Sequence, residues 1–153
     1  MITSADKDLL RHAIAIAAHA VTLGDAPYGS LLAGPDGTVL AKAHNTVRRD
    51  DDITAHPELK LARWAARELT PETAARTTLY TSCQPCGMCD GAIVRSGLGR
   101  VVYALSTEQL IALNPPSGTW PTVPHDGPAL HDEAHTAVAA YYHPTRSTNP
   151  PAR

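Results

Sequence analysis

The chain has 153 residues, 43% of them hydrophobic, which is the size of a single domain with a real core. It contains no Phe and only 5% aromatics, so that core must be built mostly from Ala, Val, Leu and Ile. A net charge of −2 and a pI near 6.4 argue against the clustered basic face of a nucleic-acid binder, and no apolar run approaches the ~20 residues that span a bilayer.

In chain order, Ser4 reads as an N-cap, and Leu9, Leu10, Ala13, Ile14, Ala17 and Val21 then recur at helical spacing until Gly24 stops the run. Residues 28–34 (YGSLLAG) and 38–43 (TVLAKA) flank a GPDG turn and read as a hairpin. Residues 44–54 are polar and read as a loop. Thr54 then caps a helix whose apolar positions are Leu59, Leu61, Ala62, Ala65, Ala66 and Leu69, and residues 70–76 connect. Residues 77–82 (TTLYTS) are strand-like, CQPC is a tight turn, and residues 87–97 form a short helix ended by glycine. A buried strand over 100–105 precedes a helix over 107–113. Residues 114–128 carry five prolines and two glycines, so at most a short edge strand is expected there. A last helix covers 129–142, and the end of the chain reads as a loose tail. No internal repeat is visible. A hairpin followed by strand–helix alternation predicts an α/β fold, a three-layer sandwich around a mixed sheet, in one domain over 1–143 with a flexible tail over 144–153.

The chemistry lies at two helix starts. The three cysteines all fall within CQPCGMC (83–89). An odd count with no signal-peptide pattern over residues 1–10 points to a reducing, cytoplasmic setting and to a metal or redox site. Cys86 and Cys89 have the C-x-x-C spacing that lets two thiolates share a metal on one helical turn. His56, thirty residues upstream, supplies a third ligand. Three protein ligands leave a fourth position for water, the mark of a catalytic zinc rather than a structural one, and zinc lowers the pKa of such a water toward ~7. A helix N-terminus also favours thiolate over thiol. Glu58, two residues after His56, is placed to take a proton from that water and hand it to a ring nitrogen and a departing amine.

His56-Pro57-Glu58 followed by Pro85-Cys86-Gly87-Met88-Cys89 resembles the signature of the cytidine/deoxycytidylate deaminase superfamily of zinc-dependent deaminases. The likeness runs from about Tyr28 to Leu113. SCQPCGMCDGAI (82–93) is similar to guanine deaminases and to their bacterial relatives among base and tRNA-adenosine deaminases. The resemblance implies a sheet of four or five strands, Zn2+ between two helix N-termini, and a homodimer. It also implies a substrate held by Asn45, which matches the family's ring-binding asparagine, with Tyr28, Pro57, Ser82 and Cys83 around it. The implied activity is hydrolytic release of ammonia from a small amino-substituted heterocycle, a guanine-like base or nucleoside first. A cytosine-type or other heteroaromatic amine is the alternative. A tRNA adenosine deaminase and a zinc scaffold without catalysis are weaker readings, and neither nucleic acid nor a membrane is expected as a partner.

Two departures from the family pattern stand out. Gln84 replaces the usual Glu, which removes a charge behind the zinc loop but no ligand. Pro57 occupies a position that is normally a small residue whose N–H donates to the substrate ring, and proline has no N–H to give. The cysteine cluster on its own leaves other readings open: a redox pair, or a closed zinc site with Cys83 as a fourth ligand. His12, His19, His125 and His143 read as surface or satisfied histidines, HDEAH (131–135) as an exposed polar helix face, and RRDDD (48–52) as a solvated cluster. Tyr141 and Tyr142 read as packing residues or as a lid.

Overall fold

Thr3, not Ser4, opens the first helix. Its hydroxyl accepts from the Asp6 N–H at 3.1 Å while Asp6 Oδ2 accepts from the Thr3 N–H at 2.8 Å, a capping box worth about 1 kcal/mol. Helix α1 then runs Ser4–Thr22, and Gly24, at φ 83, ends it as the sequence suggests. The structure is a computed structural model that describes residues 2–115 and 122–142. The chain divides into two units, Met1–Thr119 and Trp120–Arg153.

The first unit is built on four strands: β1 (Gly29–Ala33), β2 (Val39–His44), β3 (Thr78–Cys83) and β4 (Arg100–Leu105), in the order β2-β1-β3-β4. β1 pairs antiparallel with β2 and β3, and β3 pairs parallel with β4, so the sheet is mixed. Strand alternation divides the core into two faces. Leu31, Ala33, Tyr80 and Val102 pack with Leu9, Leu10 and Ile16 of α1. On the other face, Leu32 and Leu79 pack with Leu61, Ala62 and Ala65 of α3 (Pro57–Glu68) and with Cys89 and Ile93 of α5 (Gly87–Ser96). This is the α/β/α sandwich expected. The first layer lies close. A Cβ on Gly29 would sit 2.4 Å from the Ala17 backbone nitrogen, so α1 rests its backbone directly on β1.

Asp6 fastens that layer. It is buried, and besides its capping bonds it accepts from the Tyr80 hydroxyl at 2.7 Å and from Arg100 Nη1 and Nη2 at 2.8 and 3.1 Å. The Arg100 guanidinium first, then the Thr3 and Tyr80 donors, hold its carboxyl far below the usual carboxylate range.

Several local expectations change. The polar loop 44–54 contains a one-turn helix, α2 (Val47–Asp50), held by the Val47 amide on Asn45 Oδ1 and by a long-range bond from the Arg49 amide to Asp25 Oδ1 at 3.3 Å. The N-cap of α3 is His56 rather than Thr54, whose amide and hydroxyl both turn back onto Asp52 Oδ1. Residues 70–76 carry a short helix, α4 (Pro71–Ala75), capped by Thr70. Helix α6 (Thr107–Leu113) follows β4 as expected. His12, His19, His125 and residues 48–52 are exposed, as read.

In the second unit, α7 (His131–Tyr142) has no buried residue. His131 and His135 stack at 5.8 Å, and the Tyr141 and Tyr142 rings meet edge-on at 5.0 Å. HDEAH is exposed, and among the described residues it forms no group of converging metal ligands. The described residues of 114–128 contain no strand. His143 and the tail expected over 144–153 lie outside the described residues.

Candidate active site

The two helix starts that carry the motifs meet because α3 and α5 pack side by side on the sheet. His56 is the N-cap of α3, extended at φ −78 and ψ 142, and Pro57 takes the first helical position, where a missing N–H leaves no intrahelical gap. Glu58, Leu61, Ala62 and Ala65 are the buried stripe of this helix at i, i+3, i+4 and i+7, so the periodicity that packs α3 also turns Glu58 inward. Cys86 is the N-cap of α5. Cys89 faces in from its first turn, one turn ahead of buried Ile93, and Gly97 at φ 78 ends the helix.

His56, Cys86 and Cys89 form the group of converging metal-ligand side chains among the described residues. His56 Nδ1 lies 3.8 Å from Cys86 Sγ and 3.6 Å from Cys89 Sγ, and the two sulfurs are 3.6 Å apart. Zinc bonds of about 2.3 Å to sulfur and about 2.0–2.1 Å to nitrogen, at tetrahedral angles, would separate the sulfurs by about 3.8 Å and sulfur from nitrogen by about 3.6 Å. The three edges agree within about 0.2 Å, the tolerance for a real metal site. The donor set fits zinc. Cys83, the fourth ligand of a closed site, stands outside the group.

Hydrogen bonds within the group shift all three side chains. The hydrogen bond shared by the two cysteines, with His56 as a second partner, holds the Cys86 thiol well below its usual range. The same shared bond, and then burial, push Cys89 up. The hydrogen bond to Cys86 raises His56.

Glu58 is only 5% exposed, and burial pushes its carboxyl up. Its Oε2 lies 3.9 Å from Cys89 Sγ, facing the ligands. Its Oε1 accepts from the Thr81 hydroxyl at 2.8 Å, and Thr81 in turn accepts from the Ser30 hydroxyl at 2.8 Å. Thr81 and Ser30 touch the site yet escaped the sequence reading. Their signal was present: each is a polar residue at a strand position whose i+2 or i−2 neighbour, Leu32 or Leu79, faces α3.

At the start of α3, Pro57 has no backbone donor, and the Lys60 amide bonds to the His56 carbonyl at 3.0 Å.

Asn45 is buried just after β2, and its Oδ1 accepts from the Val47 N–H at 3.0 Å. That backbone donor fixes which amide atom is oxygen, so the Nδ2 hydrogens are the donors this side chain has to give. Its loop is tied to α3 by Lys60, whose Nζ donates to the His44 carbonyl at 3.1 Å and to Thr46 Oγ1, while Thr46 donates to Asp50 Oδ2 at 2.5 Å. Tyr28, Ser82 and Cys83 come together, and Cys83 stands near enough to Glu58 for that charge, after burial, to raise its thiol. With residues of α1 and α6 they line an apolar groove of about 640 Å³, and His56, Glu58, Cys86 and Cys89 are not among its lining residues. Ser82 Oγ accepts from the Gly29 N–H at 3.1 Å. Gln84 Oε1 accepts from the Thr107 N–H at 3.0 Å, which ties the cysteine turn to the start of α6.

Residues 3–105 match the family model for the cytidine and deoxycytidylate deaminase zinc-binding region. A Schizosaccharomyces pombe protein described as a "probable cytosine deaminase" is 34% identical over 95% of this chain and 85% of its own length. The guanine deaminase of Bacillus subtilis is 36% identical over 62% of this chain and 61% of its own. A tRNA-specific adenosine deaminase of Buchnera aphidicola is 34% identical over 69% and 64%. The X-ray structure of the B. subtilis guanine deaminase superposes with a TM-score of 0.76 at 26% identity, covering 94% of this chain and 97% of that one. No helix among the described residues is long and apolar enough to cross a membrane. With the family model spanning both motifs and the ligand set between them, the chain belongs to the cytidine and deoxycytidylate deaminase family of zinc-binding hydrolytic deaminases.

Proposed function

We propose that this deaminase releases ammonia from a small amino-substituted heterocycle, with His56, Cys86 and Cys89 holding Zn2+ and Glu58 moving the proton. The observation that carries the reading is the ligand triangle at tetrahedral zinc edges with the Glu58 carboxylate beside it. Zinc supplies a Lewis-acid centre that brings the pKa of a bound water to about 7. Glu58, kept from bulk water by burial, carries two protons in turn on Oε2, one from the attacking water to a ring nitrogen and a second from the hydroxyl so added to the leaving amine. Asn45 donates from Nδ2 to a ring acceptor, its loop held in place by Lys60.

A guanine-like base or nucleoside is the first substrate class, supported by the guanine deaminase structure that superposes over nearly the whole chain. The second is a cytosine-type ring, favoured by the S. pombe relative that aligns over 95% of the chain. The missing donor at Pro57 favours a substrate that presents an apolar edge, a substituent or its own donor there. The charge of −2 gives no attraction to tRNA phosphates. The reading includes a reducing, cytoplasmic setting for three free thiols. It also includes a homodimer, which the likeness to this deaminase family implies.

The test is ammonia release over a panel of bases, nucleosides and aza-heterocycles, with zinc measured in wild type and Cys86→Ala. One zinc per chain in wild type, loss of most of it in Cys86→Ala, and turnover on a free base or nucleoside are expected. Full zinc retention in Cys86→Ala removes the ligand assignment, and no ammonia from any ring removes the activity.

A further inference from the structure

Glu58 has two oxygens in different surroundings. Oε2 faces the zinc ligands. Oε1 faces a pair of hydroxyls from neighbouring strands, since Ser30 and Thr81 are direct partners in the antiparallel pairing of β1 with β3. All three side chains are buried, with Ser30 and Thr81 fully enclosed, so water does not compete for these bonds. The direction of the chain follows from valence. A carboxylate only accepts, so Thr81 gives its one hydrogen to Oε1, and Ser30 gives its hydrogen to the Thr81 oxygen. Thr81 is β-branched and sits mid-strand, so its χ1 is restricted.

We infer that Thr81 and Ser30 are positioning residues that decide which oxygen of Glu58 carries the proton. This rests on the deaminase reading above. A proton placed on Oε1 would meet the Thr81 hydrogen head-on, and relieving that clash requires Thr81 either to leave its hydrogen without an acceptor or to reverse together with Ser30. A proton placed on Oε2 leaves the chain undisturbed. Oε2 is therefore the oxygen that takes a proton from water and gives it back to the substrate, and the Thr81 hydrogen stays on Thr81 throughout. The hydroxyls touch neither substrate nor metal. They hold the carboxylate so that its reactive oxygen points at the ligands.

The experiment compares zinc-loaded full-length Thr81→Val, Thr81→Ser and Ser30→Ala with wild type. Val keeps the shape and branching of Thr and removes the donor; Ser keeps the donor and removes a methyl. Zinc content should stay at the wild-type level in all three. In Thr81→Val, kcat should fall about 10- to 100-fold, the scale for a misplaced catalytic group, with KM within about 2-fold. Thr81→Ser should recover most of that kcat, and Ser30→Ala should lie between Thr81→Ser and Thr81→Val. Crystal structures give a readout independent of turnover: Glu58 should leave its wild-type rotamer in Thr81→Val and keep it in Thr81→Ser. Wild-type kcat with an unmoved Glu58 in Thr81→Val overturns the inference. So does an equal loss in Thr81→Ser, which would mean that the methyl matters and the hydroxyl does not. A wild-type protein that turns over nothing sinks the deaminase reading alone, because the rotamer comparison still decides the positioning role.

Discussion

Replacing Glu58 by Gln changes one atom and no shape, so the structure predicts where the damage falls. Thr81 has a hydrogen to give and Ser30 already occupies its acceptor side, so the carbonyl of the new amide must take the Oε1 position. The amide NH2 then lands where Oε2 was, near Cys89 Sγ and facing the ligands. A donor replaces the one atom able to accept and carry a proton. General acid–base catalysis is worth about 10²–10⁴ in rate, or about 2.7–5.4 kcal/mol of barrier at 1.36 kcal/mol per decade, and Glu58→Gln should lose at least the lower figure in kcat. Zinc per chain should not change, because Glu58 is not in the ligand triangle. The unfolding midpoint should not fall, because an amide is cheaper to bury than a carboxylate. Steady-state ammonia release, metal analysis and a thermal melt on the same preparation check all three. A kcat within 10-fold of wild type at full zinc refutes the proton-carrying role, and loss of zinc would make Glu58 part of the metal's hold.

Asn45→Asp keeps the acceptor for the Val47 amide and deletes the Nδ2 donor, so kcat/KM should fall by about 1–3 kcal/mol with zinc and fold intact; an unchanged value would mean that another side chain orients the ring. Pro57→Ala returns an amide hydrogen to the start of α3 and should raise kcat/KM for guanine or cytosine relative to the preferred substrate. Ratios that do not move across one substrate panel would reduce Pro57 to a helix-start residue. Asp6→Asn should cost about 2–3 kcal/mol at pH 7, below the value for a fully buried pair because the Arg100 side chain is 41% exposed. Since the folded pKa of Asp6 lies below the unfolded one, its contribution is complete above about pH 5 and fades as pH falls through the folded value. Melts of Asp6→Asn and wild type should therefore converge between pH 5 and pH 2, and a constant gap would show that the loss is packing rather than charge.

Legibility in the sequence followed the range of the forces involved. The hairpin, the α3 stripe and the α5 start came from periodicity and turn residues, which act over a few positions, and the strand bounds shifted by only about one residue. His56, Cys86 and Cys89 were legible because a metal imposes spacing on the chain itself. Helix α2 was not, since Val47–Asp50 holds its turn through Asn45, Thr46 and Lys60, and Lys60 belongs to another helix. The cap of α3 was misplaced for a related reason: Thr54 has the right hydroxyl, but Asp52 captures it first. Ser30 and Thr81 showed their face by alternation, but neither spacing nor type reveals that strand pairing sets them side by side under Glu58. The groove shared by Tyr28, Ser82 and Cys83 lay further out of reach, because α1 and α6 wall it.

Pro57 also acts before the protein folds. A proline's ring crowds the residue ahead of it out of the helical region and into extended backbone. Extended is the conformation of His56 at the head of α3, with φ −78 and ψ 142. In the unfolded chain His56 therefore already samples mainly the backbone shape in which it meets the metal, and there is less freedom to surrender when the site assembles. Restrictions of this kind are worth about 0.4–1 kcal/mol, a factor of about 2 to 5 in the equilibrium they bias. The residue that has no amide hydrogen to offer thus also presets the backbone of the histidine that would hold zinc in the proposed site. Pro57→Ala should release metal to a chelator a few-fold more readily than wild type, an effect small enough to leave the site loaded when zinc is in excess.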